Sequence, residues 1–470
     1  MLPLIHLPPS LFKSDHLLTL SMVALYNGST ELSGEENPLK AKSIFSTVLG
    51  NALELYDFIL YGFLATFIAQ AFFPEQTPFI TLLLSFSVFA TACIVRPFSA
   101  LFFGKMGDTA GRKKSLLLSV NMMCVATFLV GILPSFHSIG IIATIALIIL
   151  RLMQGFSVAG EETNAAVYLT EESSENNRGF MTSFVLASVH LGLLLGSIIC
   201  TLTATLLTPE QMQAFGWRIP FLLALPFGIL ASYLRARSRE SAEFERVKDN
   251  IDLKPIKTVF KHYRLNVAQA TGVCSLFSVV IYLFTLYSPN YLQQTIGYTA
   301  ALYLTTSGLL ILCIFCPLFG HLSDRYGALR LFRISCILFA LFSFPLFNML
   351  KSGLLENTII AYITFSILLL PLAGSLFAII VKLFPISVRC TGVSFSFNLS
   401  FTLFGSSAPI IAHYLTHSSW GLESVALYII ATAIISFIST ITIKEVQCHI
   451  VEQSTPMINP ASPQAVLKKF

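Results

Sequence analysis

The sequence predicts an all-α membrane protein of twelve transmembrane helices in two six-helix, pseudo-symmetric halves, and three observations predict it. Apolar residues make up 55% of the 470 and charged residues 11%, against about 45–50% and about 25% in an ordinary soluble domain. Runs of the roughly 20 apolar residues that cross a bilayer core recur along nearly the whole chain. A short glycine-aspartate motif that follows the second run returns after the eighth, 216 residues later.

The composition comes first because it excludes most alternatives. A water-soluble chain of this size could not hide so much apolar surface, whereas lipid lets the outside be as apolar as the inside. The nine cysteines, at 93, 124, 200, 274, 313, 316, 336, 390 and 448, fall mostly within apolar runs. They read as reduced packing residues, including the Cys313–Cys316 pair, and no metal or other cofactor is implied. The net charge of +5 is scattered over short connections, so it forms no nucleic-acid footprint.

The apolar runs place spans at 44–72, 80–103, 115–134, 140–161, 180–206, 217–235, 265–288, 300–320, 331–350, 358–382, 391–415 and 422–443. An even number puts both termini on one side. Apart from Arg96, Arg151, Arg218 and Lys351, the basic residues gather at that same side, in connections such as Lys105 to Lys114 and Arg325 to Arg333. By the positive-inside rule it is the cytoplasmic side. The chain thus divides into a cytoplasmic N-terminal segment (1–43), a first half (44–235), a basic linker (236–264), a second half (265–443) and a cytoplasmic tail (444–470). The first and last segments are expected to be disordered. Leu17 to Leu25 is too short to span and lacks signal-peptide features, and Met22 is an alternative start.

The repeated motif is Gly104-Lys-Met-Gly-Asp108-Thr-Ala-Gly111-Arg112 after the second span and Gly320-His-Leu-Ser-Asp324-Arg325-Tyr-Gly327 after the eighth. Repeated halves are the building plan of many secondary transporters. The motif resembles the loop signature of the major facilitator superfamily, and Arg151-Leu-Met-Gln154-Gly155 through Gly160-Glu161 resembles that superfamily's fourth-helix motif. Gly50-Asn51-Ala-Leu-Glu54-Leu-Tyr-Asp57-Phe58, Arg96-Pro97, Tyr168 to Glu171 before Arg178-Gly179, and Gly216 to Phe221 carry a narrower likeness. Together they resemble the metabolite:proton symporter branch, which includes carriers of proline and betaine, α-ketoglutarate, shikimate and citrate. Two departures stand out: Ala159 replaces a glycine of the family's Gly-Gly-Glu, and the tail has no coiled coil. The resemblance implies a major facilitator fold and gating roles for Gly104, Asp108, Gly111, Arg112, Gly320, Asp324, Arg325 and Gly327.

Ionisable residues inside spans are costly and suggest function. Glu54 and Asp57 share a face of the first helix near mid-bilayer. Two carboxylates so close resist carrying two charges at once, which suits them to proton exchange; Asp57, the deeper, is the preferred carrier. Arg151, halfway along the fourth span, must meet a carboxylate, a substrate anion, or both in turn. Arg96 either snorkels or closes the inner gate. Glu161 and Glu162 end the fourth span, where gate pairing is expected. His190 is either a proton relay or a neutral hydrogen-bonded residue. Gln269, Tyr282, Tyr287, Asn290 and Asn398 are neutral cavity candidates.

The function expected is proton-coupled uptake of a small organic acid or zwitterion by alternating access, in a bacterial inner membrane. Its partners are that solute, protons and lipid, and a monomer is the default. Proton-driven efflux and facilitated diffusion on the same fold are the rivals within transport. A receptor would want a soluble signalling extension, and a membrane enzyme paired haem ligands, a P-loop or an exposed thiol.

Overall fold

The computed structural model describes residues 37–73, 78–237, 240–241, 244–245 and 254–443. The segment expected to be disordered at the N-terminus up to residue 36, part of the basic linker, the tail from Lys444 and Cys448 lie outside the described residues. Among the described residues there is no strand, and the helices form twelve rods when one bent pair is taken as a single span.

The first rod, α1, is Asn37–Phe63, bent by 62° at Leu64 into Ala65–Phe72. It begins seven residues before the expected span, with Pro38 at the start of the helix, where a missing N–H costs nothing. The bend was not foreseen. Side chains of the last six rods take two carbonyls beside it: Asn290 Nδ2 donates to Gly62 O (3.1 Å) and Tyr298 OH to Phe63 O (3.1 Å). Such partners make an irregular backbone tolerable at membrane depth.

Next come α2 (Pro78–Ile94 and Arg96–Ala110), α3 (Arg112–Ile132), α4 (Ile141–Glu171), α5 (Arg178–Leu206) and α6 (Arg218–Leu222 and Ala224–Ala236). The second six are α7 (Arg264–Tyr282, then Ser288–Ile296), α8 (Tyr298–Tyr326), α9 (Ala328–Lys351), α10 (Leu355–Ile380), α11 (Arg389–Ser400, then Ala408–His417) and α12 (Val425–Thr442). A π-turn at Leu283–Tyr287 joins the two parts of α7, and another at Phe401–Gly405 interrupts α11. Single π-turns re-aim side chains and gather at functional positions.

The largest correction to the expected spans is α4. It does not end at Glu161 but runs for 31 residues to Glu171, about 46 Å at 1.5 Å per residue. Its polar stretch Gly160-Glu-Glu-Thr-Asn164 stays helical because it is buried against protein and not lipid. Glu161 and Glu162 are therefore mid-helix residues.

Neighbouring rods from the two groups of six pack together chiefly as α5 on α8 and α2 on α11. Large apolar side chains such as Phe98, Leu206, Leu341 and Trp420 point outward, 71%, 80%, 64% and 70% exposed, which is the surface lipid requires. The eight described cysteines are unpaired.

Candidate functional site

At mid-depth, α1, α2, α4 and α5 face α7 and α11 around a void of about 30 Å³, room for about one water. Its walls are mostly apolar and aromatic, with Phe58 from α1, Phe277 and Tyr282 from α7, and Phe401 from the α11 π-turn. Two charged side chains reach it: Arg96 from α2 and Glu162 from α4.

Arg96 is 2% exposed and does not snorkel. Its Nε donates to Asn398 Oδ1 and its Nη1 to the Tyr282 hydroxyl, both at 2.8 Å. Its guanidinium also lies 4.6 Å from the Phe401 ring and 5.8 Å from the Phe58 ring. Asn398, Tyr282 and Phe401 belong to the last six helices, so this residue of the first six spans the interface. Asn398 is fixed in turn by donating to the Ala159 and Ser394 carbonyls, at 3.1 and 2.9 Å. Glu162, on α4, has Arg96 as its counter-charge, and its Oε1 is buried without a hydrogen bond. A cation with exchangeable partners thus shares an aromatic-walled void with an under-satisfied carboxylate.

Glu54 and Asp57 belong to the same helix, α1, but the wall of the void is made by Leu55, Phe58 and Ile59 and not by these carboxyls. Both are at most 3% exposed. Neither Glu54 oxygen has a hydrogen-bond partner, nor does Asp57 Oδ1. A proton on either group removes the cost of a buried, unpaired charge.

Of the partners expected for Arg151, no carboxylate meets it among the described residues. Its Nη1 donates to Gln154 Oε1 (2.6 Å), and Gln154 passes the contact on to Thr127 (2.7 Å). The rings of Tyr61, Phe58 and Phe89 surround it at 4.3, 5.1 and 5.3 Å. The reason lies in α1, which presents aromatic faces instead of its carboxylates at this depth, and ring quadrupoles stabilise the cation. Its Nε and Nη2 are buried without partners. His190 is fully buried on α5, with the Leu186 carbonyl one turn back beside it.

The two motif loops fasten one end of the interface. Asp108 accepts from the Cys390 and Thr391 backbone N–H groups (3.2 and 2.9 Å) and from the Thr391 hydroxyl (2.7 Å) at the start of α11. Asp324 accepts from the Gly179 and Phe180 N–H groups, both at 2.7 Å, at the start of α5. Each carboxylate thus closes on the N-terminus of a helix in the other group, where orphan donors and the helix dipole favour it. Gly104 and Gly320 allow the approach: a side chain at Gly104 would come within 2.8 Å of the Thr391 Cα, and one at Gly320 within 2.7 Å of the Gly179 carbonyl. Gly111 and Gly327 turn the chain with φ of 102° and 92°, a region other residues rarely adopt. Arg112 pairs with Glu171 at 2.8 Å, and Glu171 also lies 4.0 Å from Arg389 of α11. Arg325 is exposed.

Glu161 does not join this closure. Its carboxylate pairs with Arg235 of α6 and accepts from Ser119 (3.0 Å), entirely within the first six helices. Arg235, at the very end of the expected sixth span, is 3% exposed. Consecutive helical residues point about 100° apart, so Glu161 faces α3 and α6 while Glu162 faces the void. That angular step was the available signal, and the assumed end of α4 hid it.

The other end is closed by α1 on α7. Besides the contacts at the α1 bend, Gln293 Nε2 donates to the Thr66 hydroxyl (3.1 Å). Of the neutral candidates, Tyr282 and Asn398 hold Arg96, and Asn290 joins this second closure. Gln269 and Tyr287 instead bond Thr442 and Thr416 within the last six helices. Both ends are shut over a void too small for a metabolite, which is an occluded arrangement.

Comparison with known proteins agrees with this architecture. The sequence profile of the Major Facilitator Superfamily matches residues 47–389. The chain is 30% identical over 439 residues to the glycine betaine/proline/ectoine/pipecolic acid transporter OusA of Dickeya dadantii, covering 90% of this chain and 86% of that one. It is 32% identical over 438 residues to a proline/betaine transporter of Salmonella typhimurium, covering 88% and 85%. Among solved structures, a partially occluded inward-open conformation of the xylose transporter XylE from E. coli superposes with a TM-score of 0.69 at 16% identity. That match covers 86% of this chain and 96% of XylE.

Proposed function

The chain belongs to the Major Facilitator Superfamily, and we propose that this transporter takes up a small zwitterion of the proline or betaine kind together with protons. One observation carries the reading: Arg96 and Glu162 share an aromatic-walled void between the two groups of six helices. A solute carboxylate takes the place of Tyr282 and Asn398 on Arg96. The cationic end then meets Glu162 and the faces of Phe58, Phe277 and Phe401, the surroundings that stabilise substituted ammonium groups. Relatives named for betaine and proline transport support the same class.

Proton coupling rests on Glu54 and Asp57, two buried carboxyls of α1 with unpaired oxygens. The end fastened by Asp108 and Asp324 carries the basic connections and, in this reading, faces the cytoplasm, so both termini are cytoplasmic and the membrane is a bacterial plasma membrane. Alternating access then consists of releasing the Asp108 and Asp324 contacts at one end or the α1–α7 contacts at the other. The void lies within one chain, so a monomer suffices.

The test is uptake by proteoliposomes under an imposed pH gradient, with labelled proline, glycine betaine, citrate and α-ketoglutarate. Accumulation of the zwitterions, abolished by a protonophore, is expected. Accumulation of only the di- and tricarboxylates would overturn the substrate class, and accumulation indifferent to the gradient would overturn the coupling.

A further inference from the structure

Arg235 is a buried charge to which the reading above gives no role. It is the next-to-last residue of α6. While one of its nitrogens pairs with Glu161, its Nε is buried without a partner. That Nε lies against α1 at Gly50, where an added methyl would come within 2.7 Å. Glu54 stands one helical turn further along the same face of α1. Both Glu54 oxygens lack partners, and the charges acting on it are Arg235 and Glu162. One cation therefore stands between a carboxylate it holds, on α4, and a carboxylate it does not, on α1. The other charged or titratable groups around this cluster include Asp57 and Tyr56 on α1, Glu162 on α4, Arg96 on α2 and His190 on α5, while α3 offers the Ser119 hydroxyl and the Cys124 thiol near Asp57.

The end of α6 is also fastened to the Asp108 closure. Lys113 Nζ donates to the Ala236 carbonyl at 2.7 Å. Glu240 accepts from the backbone N–H groups of Arg112 and Lys113, at 2.9 and 3.2 Å, where α3 begins. Ser241 donates to Glu171 at 2.7 Å, the residue that holds Arg112 and approaches Arg389. A displacement of Arg235 thus reaches the start of α3, beside the Asp108 closure, through its neighbour Ala236 and Lys113.

We propose that Arg235 is a positioning residue that links proton occupancy of Glu54 to this closure. While Glu54 carries its proton, Arg235 stays on Glu161 and the end remains shut. When the proton leaves Glu54 for water at the basic face, the bare carboxylate draws the guanidinium across Gly50. Glu161 is released, and the end of α6 pulls on Lys113 through the Ala236 carbonyl. The inference rests on the proton-coupled reading above and names the residue through which coupling reaches the gate.

The experiment compares the full chain with the double variant Arg235→Gln/Glu161→Gln in proteoliposomes. It measures solute counterflow without a gradient and accumulation under one. Removing both partners leaves neither member of this pair as a buried charge without its counterpart, so the fold survives if the pair is only structural. The expected result is counterflow within about twofold of wild type, with accumulation reduced to the level reached without a gradient. Accumulation at the wild-type level in the double variant overturns the proposal. Arg235→Lys is the second readout, because it keeps the charge but loses the fork. Its accumulation should persist with the pH of half-maximal rate moved by about one unit, a tenfold change in proton affinity; an unmoved profile overturns the proposal even if the double variant is inactive. Failure of the parent reading is recognised separately, as wild-type accumulation indifferent to the gradient.

Discussion

Arg96 concentrates the chemistry of the site in one side chain, because its two charge-assisted hydrogen bonds reach across the interface to Tyr282 and Asn398. Each such bond contributes about 1.5–3 kcal/mol, and 1.4 kcal/mol is tenfold in affinity. Arg96→Lys, which cannot reproduce the fork, should raise the half-saturating zwitterion concentration by about tenfold or more in an uptake assay. Asp57→Asn should abolish accumulation under a pH gradient while counterflow continues; normal accumulation would remove Asp57 from the proton path. The sequence made the buried charges legible, since any ionisable residue inside an apolar run announces itself. Their partners were not legible. Whether Arg151 meets a carboxylate or three aromatic rings depends on the rotation of α1 against α4, and no single-chain pattern encodes that angle. Arg235 was misread for a related reason: a cation at the end of a run looks like a loop charge until packing buries it.

At the scale of an element, the two motif loops act as carboxylate latches on helix N-termini. Losing the charge of Asp108 weakens three hydrogen bonds to the start of α11, one of them from the backbone of Cys390, itself fully buried. In protein retaining Cys390 as its single cysteine, Asp108→Asn should speed maleimide labelling by about tenfold, the population shift for about 1.4 kcal/mol. An unchanged rate would mean that the latch does not hold this end shut. The latches were legible because their glycines and aspartates recur at fixed spacing. The helix ends were less so, since hydropathy marks where lipid touches a helix and not where the helix stops. α4 continues past its apolar run because protein surrounds it there, and the π-turns at Leu283 and Phe401 leave no trace in residue type although they aim Tyr282 and Phe401 at the void.

For the whole molecule, two closures over a void of about 30 Å³ mean that a solute can enter only if one end separates. Ser197 of α5 and Thr306 of α8 face each other with hydroxyls 2.6 Å apart, toward the end away from the motif loops. Ser197→Cys with Thr306→Cys, oxidised to a disulfide, should abolish accumulation, and dithiothreitol should restore it. Undiminished uptake by the oxidised protein would rule out alternating access through that end. The twelve-rod plan and its two groups of six were visible from apolar runs and the repeated motif, whereas the occluded state was not, because sequence describes the parts common to every state. One asymmetry carries further. Glu54, Asp57, Arg96, Arg151, Glu161 and Glu162 all lie buried among the first six helices, while among the described residues of the last six every Asp, Glu, Lys and Arg sits near a helix end. A membrane voltage does about 2.3 kcal/mol of work per 100 mV on a unit charge that crosses fully. In the proposed transport cycle, whatever work the voltage does on buried side chains therefore falls on the first six helices and not on the last six.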